Sequence, residues 1–150
     1  MSISGLLFPE RKFTMFYVFL AEGFEETEAL APVDVMRRAK LDVKTVGVRG
    51  ECVTSSHGVP VKADITIDSI DLDDVQGVVL PGGMPGTLNL EANEKVLEAV
   101  KYSCENGKIV AAICAAPSIL GHLGILDGKK ATCFPGFEKE LKGADYTGTH

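Results

Sequence analysis

Short apolar runs that stop abruptly are the tightest constraint on how this chain can fold. MFYVFLA over residues 15–21, GVVL over 77–80 and KIVAAI over 108–113 are too short for buried helices. A loop signal follows each at once: Glu22-Gly23-Phe24-Glu25-Glu26, Pro81-Gly82-Gly83, and Cys114 leading into Pro117. Runs of this kind suit strands covered on both faces, the usual condition of a parallel sheet.

Between them lie helical patterns. Residues 27–40 predict a helix capped by Thr27 or a neighbouring acid, with early carboxylates matching the positive end of its dipole and Pro32 marking a start or kink. Asn93 is a suitable N-cap for a second helix, whose apolar stripe is read as Val96, Leu97, Val100 and Cys104 and whose end is Asn106-Gly107. A short third helix carries Ile119, Leu120 and Leu123. Further strands are expected over 43–48, over 61–67 (apolar at every second position) and over 129–133, with a turn at 54–60 and an acidic loop at 71–74. This rhythm predicts βαβ units, hence an α/β fold with a mostly parallel sheet and ligand sites at the carboxyl ends of its strands.

Composition narrows the function. A chain of 150 residues suits one domain, and a formal net charge of −6 argues against gripping phosphate backbones, so no nucleic-acid partner is expected. The apolar runs fall far short of the ~20 residues that span a bilayer, so no membrane partner is expected either. Residues 1–14, MSISGLLFPERKFT, lack the apolar core of a secretory signal and are read as an extension ahead of a domain over 15–150. Cys52, Cys104, Cys114 and Cys133 show no Cys-x-x-Cys spacing, so neither a metal site nor a disulfide framework is expected. They fit a reducing, cytoplasmic setting, each read by default as a small buried hydrophobe.

Three loops carry chemistry. Residues 110–117 deliver Cys114 from an apolar strand directly onto a helix start, where the dipole and free N–H groups favour a thiolate and so lower the thiol pKa. A buried structural cysteine is the competing reading. Residues 80–86, LPGGMPG, expose backbone amides as an oxyanion hole requires, against the plainer reading of a tight turn. The loop lacks both Gly-x-Gly-x-x-Gly spacing and a Lys-Ser/Thr ending, so no nucleotide cofactor is expected. The third loop holds Glu25, Glu26 and Glu28, one of which can face the same cleft; Glu25 and Glu26 are read as helix-start acids on a solvated face.

Together AEGFEETE at 21–28, PVDVMRRA at 32–39, LPGG at 80–83 and AAICAAP at 111–117 resemble the ThiJ/PfpI superfamily, and within it the branch of the Parkinsonism-associated deglycase and its bacterial relatives. The resemblance implies a flavodoxin-like sandwich, class I glutamine amidotransferase-like, forming a homodimer without a cofactor. By matching position it implies Cys114 as nucleophile and redox centre, Glu28 as its protonated partner carboxyl, and the Gly83 and Ala115 amides as the oxyanion site. Gly82 and His57 are implied as substrate or dimer contacts. The implied activity is glyoxalase or deglycase chemistry on reactive dicarbonyls or early glycation adducts, with a small carbonyl compound or a glycated protein as partner and an oxidative-stress role. The alternative is a redox-sensing or chaperone-like protein whose cysteine oxidises.

An amidase or peptidase ranks third. Ala115 stands where that branch places histidine, and Phe134 stands where some relatives carry another. Neither His57, His122 nor His150 has a recognised spacing to Cys114, and His122 is read as a satisfied or surface residue. Relatives also continue past the match to residues 146–150, so the chain is expected to lack the family's C-terminal segment.

Overall fold

The computed structural model of the chain describes residues 14–148. Residues 1–13 of the expected extension, and His150, lie outside the described residues. In chain order the strands are β1 (Met15–Leu20), β2 (Asp42–Gly47), β3 (Cys52–Thr54), β4 (Pro60–Lys62), β5 (Ile65–Thr66), β6 (Val75–Leu80), β7 (Ile109–Ala112), β8 (Lys130–Ala131) and β9 (Asp145–Tyr146). The α-helices are α1 (Glu26–Arg38), α2 (Gly86–Glu91), α3 (Glu94–Glu105) and α4 (Pro117–His122).

Five strands form one parallel sheet in the order β5-β2-β1-β6-β7. Alternation along β1 assigns its two faces. Val18 and Leu20 pack with Ala29 and Val33 of α1, whereas Tyr17 and Phe19 join the cluster holding Leu90, Val96 and Val100 from α2 and α3. The sheet is thus wound on both faces, and the chain order reverses between β1 and β6. In such sheets the crevice for a ligand opens at the carboxyl ends of those two strands. β3 and β4 form a separate antiparallel hairpin, and β8 and β9 a separate parallel pair.

Several expected elements differ in detail. α1 starts at Glu26 and runs through Pro32, with Glu25 as its cap. The strand expected over 61–67 breaks after Lys62, because Asp64 turns to bind β2. Its carboxylate accepts from the N–H and Oγ1 of Thr45, both at 2.8 Å, and its own N–H donates to Thr45 Oγ1 at 2.9 Å. Ile65 and Thr66 then pair with β2, and a 3-10 turn takes Ile67–Ser69.

On α3 the buried positions are Val96, Ala99, Val100 and Ser103, while Cys104 is exposed. At about 100° per residue, Cys104 stands some 80° from Val96, off the stripe that Ser103 continues. The run over 108–113, read as a buried strand, instead forms the edge of the described sheet as β7, with Ile109 in it and Ile113 just past it each 51% exposed. Nor do the cysteines behave as buried hydrophobes. All four are free, Cys52 and Cys104 exposed, Cys114 and Cys133 half-buried. No described helix is long and apolar enough to cross a membrane.

Candidate active site

The site forms where three loops leave the carboxyl ends of β1, β6 and β7. From β7 the backbone continues through Ile113, whose N–H reaches Leu80 O at 3.3 Å, and then turns sharply at Cys114. Cys114 has φ 61°, and among the described residues only Lys40 shares positive φ without being glycine. A side chain in that region is crowded by its own carbonyl. The Cys114 carbonyl is held from the far side by Phe134 N–H at 2.8 Å, and Ala116 N–H closes the turn onto Ile113 O at 3.0 Å. The result is a sharp strand-to-helix elbow that carries Cys114 into the wall of a cleft.

Glu28 comes from the first turn of α1. Its helix start is organised by Glu25, whose Oε2 accepts from Glu28 N–H at 2.7 Å. The Glu28 carboxylate reaches across to the loop after β6 and accepts from Gly82 N–H at 2.9 Å. Gly82 has to lack a side chain, since a Cβ there would lie 2.6 Å from both Cys114 Cβ and Glu28 Oε2. Gly83 is constrained twice over, by φ 91° and by a would-be Cβ 2.4 Å from Glu25 N. These two glycines let the β6 loop press against both Glu28 and Cys114, and the N–H groups of Gly83 and Ala115 point toward the Cys114 sulfur.

A cavity of about 270 Å³ opens on this cluster, lined among others by Glu28, Cys114, Pro117, Cys133 and Phe134. Burial pushes the Cys114 thiol above its ordinary pKa, and the neighbouring Glu28 charge adds to that rise. The amides of Gly83 and Ala115 oppose it without cancelling it. The expectation of a lowered thiol pKa therefore fails in direction. α4 is only six residues long, so its dipole is weak, while Glu28 supplies a full charge at close range. Cys133 is raised as well, first by burial, then by Glu138 and by Cys114 itself.

Other expected residues fall beside the cleft. His57, 70% exposed on its side chain, places Nδ1 3.0 Å from Glu26 Oε1. Glu26 is held below the ordinary carboxylate range, chiefly by a hydrogen bond from its own backbone, with His57 and Ser55 helping. Glu25 and Glu26 are therefore a cap and an ion-pair partner, both half-buried, not acids on a solvated face. Among the described residues, Glu25, Glu26 and His57 also form the one cluster with three possible metal-ligand atoms, all within 4.8 Å of one another. Spacing along the chain could not show it, because the hairpin brings His57 to the helix start. His122 is satisfied as expected, by Glu91 and by Glu140, the latter at 2.8 Å. The cleft residue that sequence reasoning missed is Cys133; its position at the carboxyl end of a predicted strand, beside Phe134, is the available signal.

The sequence profile of the DJ-1/PfpI family matches residues 15–149. The chain belongs to the DJ-1/PfpI family. Protein DJ-1 homolog B of Arabidopsis thaliana is 36% identical over 124 residues, which are 81% of this chain and 28% of that protein. A deglycase of Thermococcus kodakarensis is 32% identical over 127 residues, covering 85% of this chain and 76% of the deglycase. The crystal structure of Drosophila melanogaster DJ-1beta superposes with a TM-score of 0.84 at 33% identity, over 89% of this chain and 73% of that one. The chain thus spans under a third of the Arabidopsis protein and about three quarters of the other two. The DJ-1/PfpI assignment establishes the flavodoxin-like fold that the motifs implied.

Proposed function

We propose that this DJ-1/PfpI chain is a cysteine-dependent enzyme of the glyoxalase or deglycase type, acting on reactive dicarbonyls or early glycation adducts. The observation that carries the reading is the elbow. Cys114, at φ 61°, is set between the Glu28 carboxyl and two backbone amides at the floor of a cavity sized for a small molecule. The deglycase name of the Thermococcus relative agrees with it.

In the proposed reaction the Cys114 sulfur adds to the aldehyde carbon of methylglyoxal while the thiol proton passes to Glu28. The new alkoxide is stabilised by the Gly83 and Ala115 amides and takes that proton, leaving a hemithioacetal and a free carboxylate. Glu28 then removes the proton from the former aldehyde carbon and delivers it to the neighbouring carbonyl oxygen, giving an enediol, and next carries the proton of the first hydroxyl to the adjacent carbon, where the second hydroxyl remains. The product is a lactyl thioester on Cys114, which water cleaves to lactate and the free thiol. The raised thiol pKa suits this sequence, because the proton is handed to Glu28 as the bond forms, so no standing thiolate is needed.

The same reading takes the chain as a homodimer in a reducing, cytoplasmic setting, in keeping with four free cysteines, and with His57 facing a substrate or a second copy. Conversion of methylglyoxal to lactate by the purified chain, abolished in Cys114→Ser, is the expected result. Equal turnover by Cys114→Ser would remove the cysteine from the mechanism.

A redox-sensing role is the second reading, favoured by a half-buried thiol that is reached through an open cavity and faces amide donors. Mild peroxide should then oxidise Cys114 ahead of the exposed Cys52 and Cys104.

A further inference from the structure

The cleft holds two thiols, and the proposed reaction uses one. Cys133 sits between β8 and the turn that follows, half-buried, and lines the same 270 Å³ cavity as Cys114. The backbone segments carrying them are bonded side by side, since Phe134 N–H donates to Cys114 O at 2.8 Å. Each Cα lies two covalent bonds from that contact, which holds the pair within about 8 Å by standard bond lengths. A disulfide needs about 4.4–6.8 Å between Cα atoms, so a small movement of the segment around Cys133 suffices. That segment is a loop, free of sheet pairing between Ala131 and the 3-10 turn at Glu138–Glu140. The two thiols are also close enough for a charge on Cys114 to oppose ionisation of Cys133, after the larger effects of burial and Glu138. Cys52 on β3 and Cys104 on α3 are exposed and line no part of this cavity.

We propose that Cys133 is a resolving thiol, which captures oxidised Cys114 as an intramolecular disulfide before it can oxidise further. A hydroperoxide is the oxidant. The Cys114 sulfur attacks the terminal peroxide oxygen, the O–O bond breaks, and the departing oxygen takes a proton to leave as water or an alcohol. Cys114 is then a sulfenic acid. The Cys133 sulfur attacks the Cys114 sulfur, an S–S bond forms, and the sulfenic oxygen leaves as water with the Cys133 proton. Two thiols lose two electrons and one peroxide gains them. Closing the disulfide also withdraws the nucleophile, so dicarbonyl turnover stops until a reductant restores both thiols. Without Cys133, sulfenic acid at Cys114 meets a second hydroperoxide, takes its oxygen and becomes sulfinate, which thiols do not reverse.

The inference rests on the reading of Cys114 as the reactive centre, and the test separates the two. The full chain is treated with a modest excess of hydrogen peroxide, enough for two oxidations of one thiol, then alkylated, digested without reductant and mapped by mass spectrometry. A Cys114–Cys133 linked peptide, lost on adding dithiothreitol, is expected in the wild type. In both Cys133→Ser and Cys133→Ala the linked peptide should vanish and sulfinate at Cys114 should rise several-fold. Sulfinate accumulating in the wild type as fast as in these variants, with no linked peptide, overturns the proposal, and so does a Cys114 that is not oxidised at all. Methylglyoxal turnover by reduced wild type is measured in parallel. Its absence alongside an intact linked peptide would reject the enzymatic reading and leave the resolving role standing.

Discussion

The Glu28 carboxylate accepts a hydrogen bond from Gly82 N–H at 2.9 Å, tying the first turn of α1 to the loop after β6 immediately beside the Cys114 sulfur. Adding one methyl at Gly82 puts a carbon 2.6 Å from both Cys114 Cβ and Glu28 Oε2, and 3.1 Å from the sulfur. The tip of Glu28 can swing aside at the loss of its bond to Gly82, but the Cys114 Cβ is fixed by a closed turn. Gly82→Ala should therefore displace the thiol from its amides. Misplacement of about 1 Å costs on the order of 10²-fold in rate, so kcat/KM for methylglyoxal should fall by about that factor. A Gly82→Ala enzyme of near-wild-type rate would mean that this contact is not part of the catalytic geometry.

Glu28→Gln tests the charge within the pair. The family resemblance implies a protonated Glu28, and a carboxyl donating to the thiolate would lower the thiol pKa, so that its deletion would raise it. In the folded chain burial and the Glu28 charge both push the thiol up. Glutamine keeps the shape and removes the charge, so the Cys114 pKa should fall toward its ordinary value, though burial still holds it above. Thiolate absorbance in the ultraviolet, or alkylation rate against pH, measures the shift in a background where Cys52, Cys104 and Cys133 are replaced by serine. An upward shift in Glu28→Gln would show that the carboxyl acts chiefly as a proton donor to the thiolate.

Much of the fold was legible because the core strands are short, apolar and ended by strong breakers. β1, β6 and β7 fall where their runs of Phe, Val, Leu and Ile predict, and Asn93 caps α3 through its side chain as expected. What was not legible depended on contacts distant in sequence. Asp64 breaks a strand because Thr45 lies beside it, and α2 follows a Pro-Gly loop with only six residues, too few to display a helical period. The site divides the same way. The elbow at Cys114 is local and readable, whereas the direction of its pKa shift is set first by burial in the cleft and then by Glu28. His57 and Cys133 reach their places only through the hairpin and the loop after β8.

His122 supplies a test of stability against pH. It bridges Glu140, which follows the loop after β8, and Glu91 at the end of α2. These hydrogen bonds, Glu140 first, raise its pKa above the ordinary 6.5, and the same contact lowers that of Glu140 below 4.5. A raised histidine stabilises the fold fully below 6.5 and loses that contribution as pH climbs through its folded-state value. A lowered glutamate contributes above 4.5 and loses its share as pH drops through its own folded-state value. The window of greatest benefit is thus about pH 4.5–6.5. The melting temperature of His122→Asn should lie furthest below that of the wild type near pH 5.5, and the gap should narrow as pH rises past 6.5 through the folded-state value. A gap independent of pH would assign His122 a packing role only.

The elbow itself carries strain that substitution can expose. At φ 61° any Cβ is crowded, whereas glycine is not, so Cys114→Gly and Cys114→Ala differ mainly in that crowding. Both lack the thiol and should be inactive, and both leave nearly the same space beside Glu28. Relief of left-handed strain is worth about 1–2 kcal/mol, offset by roughly 0.5–1 kcal/mol for the greater freedom of glycine in the unfolded chain. The glycine variant should accordingly melt above the alanine variant by a few degrees, the shift expected from about 1 kcal/mol at this chain length. Differential scanning calorimetry of the two purified variants at one pH decides it. Should alanine prove the more stable, the turn at Cys114 would be relaxed in solution, and the thiol would not be held at the cleft wall by its backbone.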